Sequence, residues 1–434
     1  MFFYTRKDIV KILLIDPPFQ KFMGFSKYYI PLGLLYLAAE LKKRSHEVLV
    51  YDADYNPQGK SLDFLDKMEH YSLYIEGLVD VNNTVWSEVQ KVIEIFKPDV
   101  VGISLISTKF ISGMKIAEIA KRLGVKKVIC GGVHTSICPD EVLGNKNVDS
   151  IVVGEGEEVF EDALTNRKVV GNRIKNLDDI SFPLRENLYN LSDYKPSDLG
   201  MIISSRGCPY SCSFCCSEAL WGRKVIFRSV DNITKEIVSV KDLYGTTDFY
   251  FADDSFTCNK QRTLEFCSKV KNLGVTWSCL TRADLIDEQI VMAMKESGCR
   301  MVKMGLESGS QKVLGIMNKR TKKEDVIKAS DTLRRHNLNW TAYFMVGTPG
   351  ENEQDVDETL DFIREVVPTY ISFSIFTPYP GTPLYEKMGL KNILYHLYNH
   401  HSNLNKFSEV SSQKIKEVAM FSDKYNRRVY AVSS

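Results

Sequence analysis

The sequence has no long apolar run, no surplus of either charge and no cysteine in its first 129 residues. No apolar stretch approaches the ~20 residues that cross a bilayer, so a membrane-spanning helix is not expected. Lys and Arg number 56 and Asp and Glu 55, a net charge of +1 that gives no bulk field for nucleic acid. The run Met1-Phe2-Phe3-Tyr4-Thr5-Arg6-Lys7-Asp8 lacks a basic stretch followed by an apolar one, so no secretory leader is expected. The ten cysteines show no paired framework, which argues against disulfides and for a reducing compartment, the cytoplasm. Internal repeats and low-complexity tracts are absent too.

What remains is an ordinary globular composition, 44% hydrophobic and 26% charged, in 434 residues, enough for two or three full cores. The first third alternates short apolar strands with helices. Strands are expected at 11–16, 47–52, 99–104, 127–132 and 150–154, with helices at 32–43, 85–96 and 112–123. Continuous β-branched runs joined by helices predict a five-stranded, doubly wound parallel sheet with its ligand at the carboxyl ends of the strands. Residues 1–164 form this domain. The pattern weakens over 165–199, where Asp178-Asp179-Ile180-Ser181-Phe182-Pro183 and Tyr194-Lys195-Pro196 read as a linker. Alternation resumes over 200–390 with six βα units, which predicts a partial (β/α)6 barrel whose site lies at the carboxyl ends of its strands. Residues 391–434 read as a short polar tail.

The first of these barrel strands runs into Arg206-Gly207-Cys208-Pro209-Tyr210-Ser211-Cys212-Ser213-Phe214-Cys215. Three thiolates spaced C-x3-C-x2-C on one loop can hold three corners of a cubic iron–sulfur cluster, which takes four ligands. The fourth iron is then open, as the open position of catalytic zinc is. A structural zinc site would want a fourth Cys or His at recognisable spacing. Cys216, adjacent to Cys215, is badly placed to join the same metal, and no second C-x2-C follows.

This motif resembles the signature of the radical S-adenosylmethionine (SAM) superfamily. The resemblance implies a 4Fe-4S cluster on Cys208, Cys212 and Cys215 and SAM on the open iron. It also implies a 5′-deoxyadenosyl radical that takes hydrogen from substrate. Phe214 matches the aromatic beside the adenine. Gly305-Leu306-Glu307-Ser308-Gly309-Ser310 resembles the ribose segment, with Glu307 and Ser308 as its polar groups; a turn with a helix cap explains the serines equally well. Arg282 matches a position near the SAM carboxylate, or pairs with Asp284. Gly347 and Pro349 match the adenine-side loop. Asp253 and Asp254 orient a ligand or cap a helix.

Other segments resemble the subset of that superfamily with an N-terminal cobalamin-binding domain. They are Pro31-Leu32-Gly33-Leu34-Leu35-Tyr36-Leu37-Ala38-Ala39, Val153-Gly154-Glu155-Gly156-Glu157-Glu158 and Thr377-Pro378-Tyr379-Pro380-Gly381-Thr382-Pro383-Leu384. Together the resemblance covers roughly residues 10–390. It implies cobalamin at Ser104, Leu105, Gly131, Gly132, Gly154 and Glu155. One departure is plain. Many cobalamin proteins carry Asp-x-His-x-x-Gly after the first strand, whereas here the chain reads Asp16-Pro17-Pro18-Phe19-Gln20-Lys21-Phe22. His134, after Gly132, is either a cobalt ligand or a hydrogen-bonded loop histidine.

The implied activity is methyl transfer to an unactivated carbon or phosphorus of a small molecule or lipid, with an external electron donor such as flavodoxin or ferredoxin. The alternative within the resemblance is a cyclase or oxidative enzyme like those of anaerobic tetrapyrrole synthesis. A methylthiotransferase acting on transfer RNA would need three more clustered cysteines near the N-terminus, where there are none. A non-enzymatic cofactor carrier has no use for an open iron.

Overall fold

The computed structural model describes residues 9–27, 29–60, 63–391, 393–402 and 407–433. The chain divides into two compact units, Met1–Ser61 with Ser72–Leu199, and Leu62–Tyr71 with Gly200–Ser434.

In the first unit the strand β1 (Lys11–Asp16) is flanked on one side by β2 (Glu47–Asp52) and on the other by β3 (Val100–Ser104). Then follow β4 (Lys127–Gly131), β5 (Ser150–Val153) and β6 (Lys168–Val170), giving the order β2-β1-β3-β4-β5-β6, every neighbour parallel. Ile12, Leu13, Leu14 and Ile15 are all fully buried, because helices such as Leu32–Lys43 and Phe110–Arg122 cover the apolar faces. The chain winds outward from β1 in both directions, so a topological switch point lies between β1 and β3.

A sixth strand is the first departure from the sequence reading. The stretch 165–199 is folded onto this unit. Its β6 extends the sheet edge, Asn187 Nδ2 donates to Val48 O at 2.8 Å and Tyr189 N to Val50 O at 2.8 Å. Arg185 is buried, its Nε donating to Leu199 O at 2.8 Å. Short 3-10 turns held by such bonds leave no apolar period in the sequence, which is why the segment reads as a linker.

The second unit begins with β7 (Met201–Ile202), followed by an antiparallel pair, β8 (Ser205–Arg206) and β9 (Ile226–Phe227). Then come β10 (Asp248–Phe251), β11 (Thr276–Thr281), β12 (Cys299–Glu307), β13 (Asn339–Val346) and β14 (Tyr370–Ile375). The order β14-β13-β12-β11-β10-β7 is sequential and wholly parallel, six strands of an open barrel. Phe251, Phe256, Phe266 and Trp277 pack in its core with ring centroids 4.8–5.9 Å apart, in tilted and edge-on contacts.

The C-terminal stretch is the second departure. It carries the helix Ser412–Ser433, whose Ile415, Val418, Ala419 and Tyr425 are core residues of this unit. Asn426 treats the edge strand β14 as a neighbouring strand would: it accepts from Ile371 N at 3.0 Å and donates to Ile371 O at 2.9 Å. The polar outer face of the helix made the segment look like a tail. Ile415→Ala is expected to lower the stability of this unit by about 2–5 kcal/mol, while Met420→Ala, at an exposed position, changes it by less than about 0.5 kcal/mol. Urea unfolding followed by tryptophan fluorescence measures both.

Candidate active site

The three-cysteine loop leaves the barrel where β7 ends. Pairing with the parallel sheet ends at Ile202, and Asp253, just after β10, captures the next residues before the chain enters the β8–β9 pair. Its carboxylate accepts from Ser204 N at 2.7 Å, Ser204 Oγ at 2.5 Å and Ser205 Oγ at 2.6 Å. Asp253 is buried. Arg262 Nη2 and Arg228 Nη1 hold the carbonyls of Ser204 and Ile203, each at 2.9 Å. Beyond this truss Gly207 takes φ of 100°, a left-handed conformation that glycine adopts without strain.

Two distant segments then stitch the loop. Ser213 N donates to Met317 O and Ser213 Oγ to Ile316 O, both at 2.8 Å, and Asn318 Nδ2 donates to Ser211 O at 2.8 Å. From the other side Leu384 N donates to Ser213 O at 2.8 Å. Cys208, Cys212 and Cys215 are partly exposed and unbridged. Burial pushes the Cys215 thiol up to about 12 and raises Cys208 and Cys216. Cys216 stands at the N-cap of the helix Ser217–Trp221. Ser217 N donates to Cys215 Sγ at 3.4 Å, and Ser217 Oγ to Asp254.

The donor set can be tested against the group it would hold. Among the described residues one group gathers three metal-ligating atoms within 4.8 Å of one another, and it is not this one. The three sulfurs do not all lie within 4.8 Å of one another, yet they share one short loop. That spacing and the all-thiol chemistry fit a polynuclear iron–sulfur group.

The residues expected around SAM meet at a lysine that sequence reasoning missed. Lys319 is buried; its Nζ bonds Glu307 Oε1 at 2.8 Å and stands 5.9 Å from the Phe214 ring centroid. Its carbonyl accepts from Arg282 Nη2 at 3.1 Å. Glu307, Phe214 and Arg282 are thus linked through one residue. Glu307 has φ of 70° at an irregularity in the β12–β13 register, a local strain that turns its carboxylate aside from the ladder. Arg282 forms a bidentate pair with Asp284, both contacts at 2.9 Å, and stacks on Tyr210 at 3.8 Å. Its Nη1 is buried and has no partner among the described residues. The Asp284 pair expected as the alternative is therefore present, and a donor is left over.

Ser308 belongs to the turn: its hydroxyl accepts from Ser310 N at 3.1 Å and meets Thr359 Oγ1 at 3.1 Å. One strand over, Gly347 (φ 89°) and the partly exposed Pro349 follow β13. Glu351 Oε2 accepts from Gly347 N at 2.5 Å and Thr348 N at 2.9 Å and shapes this loop. No sequence signal marked Lys319, since it lies in a polar turn that reads as solvated; Glu351 closes the segment that resembles the adenine-side loop.

In the first unit the register sets Ser104 beside Gly131, with Leu105 N donating to Gly131 O at 2.8 Å. Ser104, Leu105, Gly131 and Gly132 thus come together at adjacent strand ends. Gly132 has φ of 92°, and a Cβ there would meet Leu105 O at 2.8 Å, so its small size serves the approach of Leu105 itself. A Cβ on Gly131 would meet nothing closer than 3.8 Å. At these strand ends Gly131 thus leaves open space, and Gly132 does not. Gly154 ends β5, while Glu155 turns inward: it accepts from Ile174 N and lies 3.6 Å from Arg173. After the ends of β1, β2 and β3 lies a buried ion cluster, also missed in the sequence. Lys27 pairs with Asp16 and with Asp52 at 3.0 Å, and Lys109 with Asp16 at 2.9 Å and Asp54 at 3.1 Å.

Comparison with known proteins follows the same division. The B12 binding domain model matches residues 25–164, and the radical SAM superfamily model matches residues 202–363. The chain is 30% identical over 418 residues to an uncharacterized methyltransferase of Pyrococcus horikoshii, covering 89% of this chain and 84% of that one. It is 27% identical over 451 residues to cytidylyl-2-hydroxyethylphosphonate methyltransferase of Streptomyces wedmorensis, covering 86% and 80%. It is also 27% identical over 344 residues to an anaerobic magnesium-protoporphyrin IX monomethyl ester cyclase of Rubrivivax gelatinosus, covering 71% and 62%. Among solved structures, the radical S-adenosylmethionine methyltransferase TsrM of Kitasatospora setae, with cobalamin and a 4Fe-4S cluster bound, superposes with a TM-score of 0.65 at 16% identity, covering 89% and 76%; the likeness is one of fold.

Burial raises the Glu351 carboxyl from its ordinary 4.5 to about 7. Between those values the folded chain keeps a proton that the unfolded chain has released, so this group's stabilisation is complete below pH 4.5 and is lost as pH rises through 7. Glu351→Gln, which can still accept both backbone bonds, is expected to abolish that loss, a difference on the order of 2–3 kcal/mol across the window. Urea midpoints at closely spaced pH values measure it.

Proposed function

This chain belongs to the radical SAM enzymes that carry a B12-binding domain, and on that footing we propose that it methylates an unactivated carbon or phosphorus of a small molecule or lipid. The observation that carries the reading is the three-cysteine loop that follows the first barrel strand, in one chain with the small residues at the Ser104–Gly132 strand ends. Two of the relatives above are named methyltransferases, which supports the same choice.

When bound, the cluster supplies the electron that cleaves SAM, and cobalamin supplies the methyl group. The chain's own part is to hold and to exclude. Cys208, Cys212 and Cys215 would hold the cluster, on a loop kept in place by its bonds to Ile316, Met317, Asn318 and Leu384. Arg282 Nη1, buried and without a partner among the described residues, would donate to the SAM carboxylate. Glu307, oriented by Lys319, accepts from ribose hydroxyls. Phe214 and the Gly347–Pro349 loop flank the adenine. Ser104, Leu105, Gly131, Gly132 and Gly154 line the cobalamin tail, with Glu155 fixing the loop behind them. A flavodoxin or ferredoxin provides the reducing electron. Unbridged cysteines suit the cytoplasm, and no described helix is long and apolar enough to cross a membrane.

The relative from Rubrivivax favours a second reading, ring closure without methyl transfer. Anaerobic incubation with SAM and reductant, with and without methylcobalamin, separates the two by mass spectrometry of candidate substrates. Gain of one methyl group, dependent on cobalamin, is expected; a cobalamin-dependent product with no added methyl favours the cyclase. Cys208→Ala, Cys212→Ala and Cys215→Ala should each lose the cluster and all turnover, whereas Cys216→Ala keeps both. Full iron content in any of the first three would overturn the site.

Glu307→Ala and Arg282→Ala are expected to weaken SAM binding at least about tenfold with iron content unchanged, because each removes a charged hydrogen-bonding group. Equilibrium dialysis with labelled SAM measures this, and unaltered affinity in both would return the two residues to purely structural work.

A further inference from the structure

Among the described residues, the one group of three ligating atoms that does converge lies in the first unit. His134, Cys138 and Glu141 occupy positions i, i+4 and i+7 just after β4, and this spacing sets them on one side of a helical path. Cys138 N donates to His134 O at 2.8 Å, closing the turn between the first two. The ligand atoms all lie within 4.8 Å of one another, and His134 Nε2 stands 3.4 Å from Glu141 Oε2. Two ligands of one tetrahedral zinc, at bond lengths of about 2.0–2.3 Å, are separated by roughly 3.3–3.8 Å. The group therefore needs only small side-chain shifts to close on an ion.

The surroundings match what a metal histidine needs. His134 is fully buried and its Nδ1 lies 3.0 Å from Ser107 Oγ. Such a partner on one ring nitrogen fixes the tautomer and directs the other nitrogen to the metal. Phe110 packs against the ring at 4.7 Å and limits its rotation. Cys138 is partly exposed and the Glu141 side chain is 48% exposed, so an ion has a way in and water can complete the coordination. One imidazole, one thiolate and one carboxylate form a mixed donor set that suits zinc better than magnesium or calcium.

We propose that His134, Cys138 and Glu141 bind one zinc ion that clamps the two short helices after β4. Those helices, Val133–Ile137 and Pro139–Leu143, have five residues each, too few to be stable alone. The ion ties the end of the first to the second. It thereby fixes the turn that begins at Gly131 and Gly132. The proposal does not depend on the methyl-transfer reading.

Two parents keep the cluster cysteines from taking the added zinc: the full chain with its iron–sulfur site reconstituted, and the full chain carrying Cys208→Ser, Cys212→Ser and Cys215→Ser. Each is loaded with zinc chloride, desalted and analysed by inductively coupled plasma mass spectrometry. About one zinc per chain is expected in both. Adding His134→Ala or Cys138→Ser should weaken zinc binding at least about tenfold, with iron content of the reconstituted parent unchanged. Cobalt(II) used in place of zinc should show a thiolate-to-metal absorption band that Cys138→Ser removes. Should either variant fail to fold by circular dichroism, Glu141→Gln, at a half-exposed position, decides through the same titration. Absence of retained zinc in both parents, or affinity unchanged in the variants, overturns the proposal.

Discussion

A single buried carboxylate fixes where the reactive loop begins. Asp253 reaches across from β10 and takes the backbone and both hydroxyls of Ser204 and Ser205. Because three donors converge on one acid in a dry place, the chain must turn there. The cysteines follow within a few residues and inherit that direction. The stitches from Ile316, Met317, Asn318 and Leu384 then work on a loop already aimed, and they bind only backbone and hydroxyl groups of the loop, not its sulfurs.

The polar groups of the barrel mouth divide by what else they do. Asp253, Arg228 and Arg262 are engaged with the protein and act as framework. Lys319 is intermediate: it spans Glu307, Arg282 and Phe214 and so transmits the position of any one to the others. The first unit shows the same economy at its strand ends. There a two-lysine, three-aspartate cluster closes the far side of β1, while the Ser104–Gly132 side is made of small groups and backbone.

Sequence reading reached both architectures because parallel strands buried on two faces are written as unbroken apolar runs, as in Leu13-Leu14-Ile15 and Val100-Val101-Gly102-Ile103. The cysteine spacing is equally local and equally plain. It missed what depends on long-range capture. β6 is three residues with one buried side chain, and the Arg185 and Asn187 anchors are polar groups whose burial no period reveals. Lys319 was invisible for the same reason: a charged residue in a turn reads as solvated until its partners are known. The helix Ser412–Ser433 was hidden because only one narrow stripe of it is apolar. Gly132 was legible as a glycine that matters, but the backbone that needs its smallness is that of Leu105 rather than a ligand alone.

The make-up of the barrel core has a consequence for the order in which the protein can be built. Phe64 packs against Phe373, and both share a core with Ile415 and Val418. Everything the first unit needs has been synthesised once Leu199 emerges, so that unit can close early. The segment Leu62–Tyr71 emerges within that stretch but belongs to the second. It must wait, with Phe64 unburied, until a strand and a helix hundreds of residues later arrive. Pairing over such sequence distances is slow, and the waiting surface is apolar. During translation, therefore, the vulnerable part of this chain is a ten-residue excursion near its beginning, and a chaperone that shields it would hasten assembly of the barrel far more than one acting on the cysteine loop.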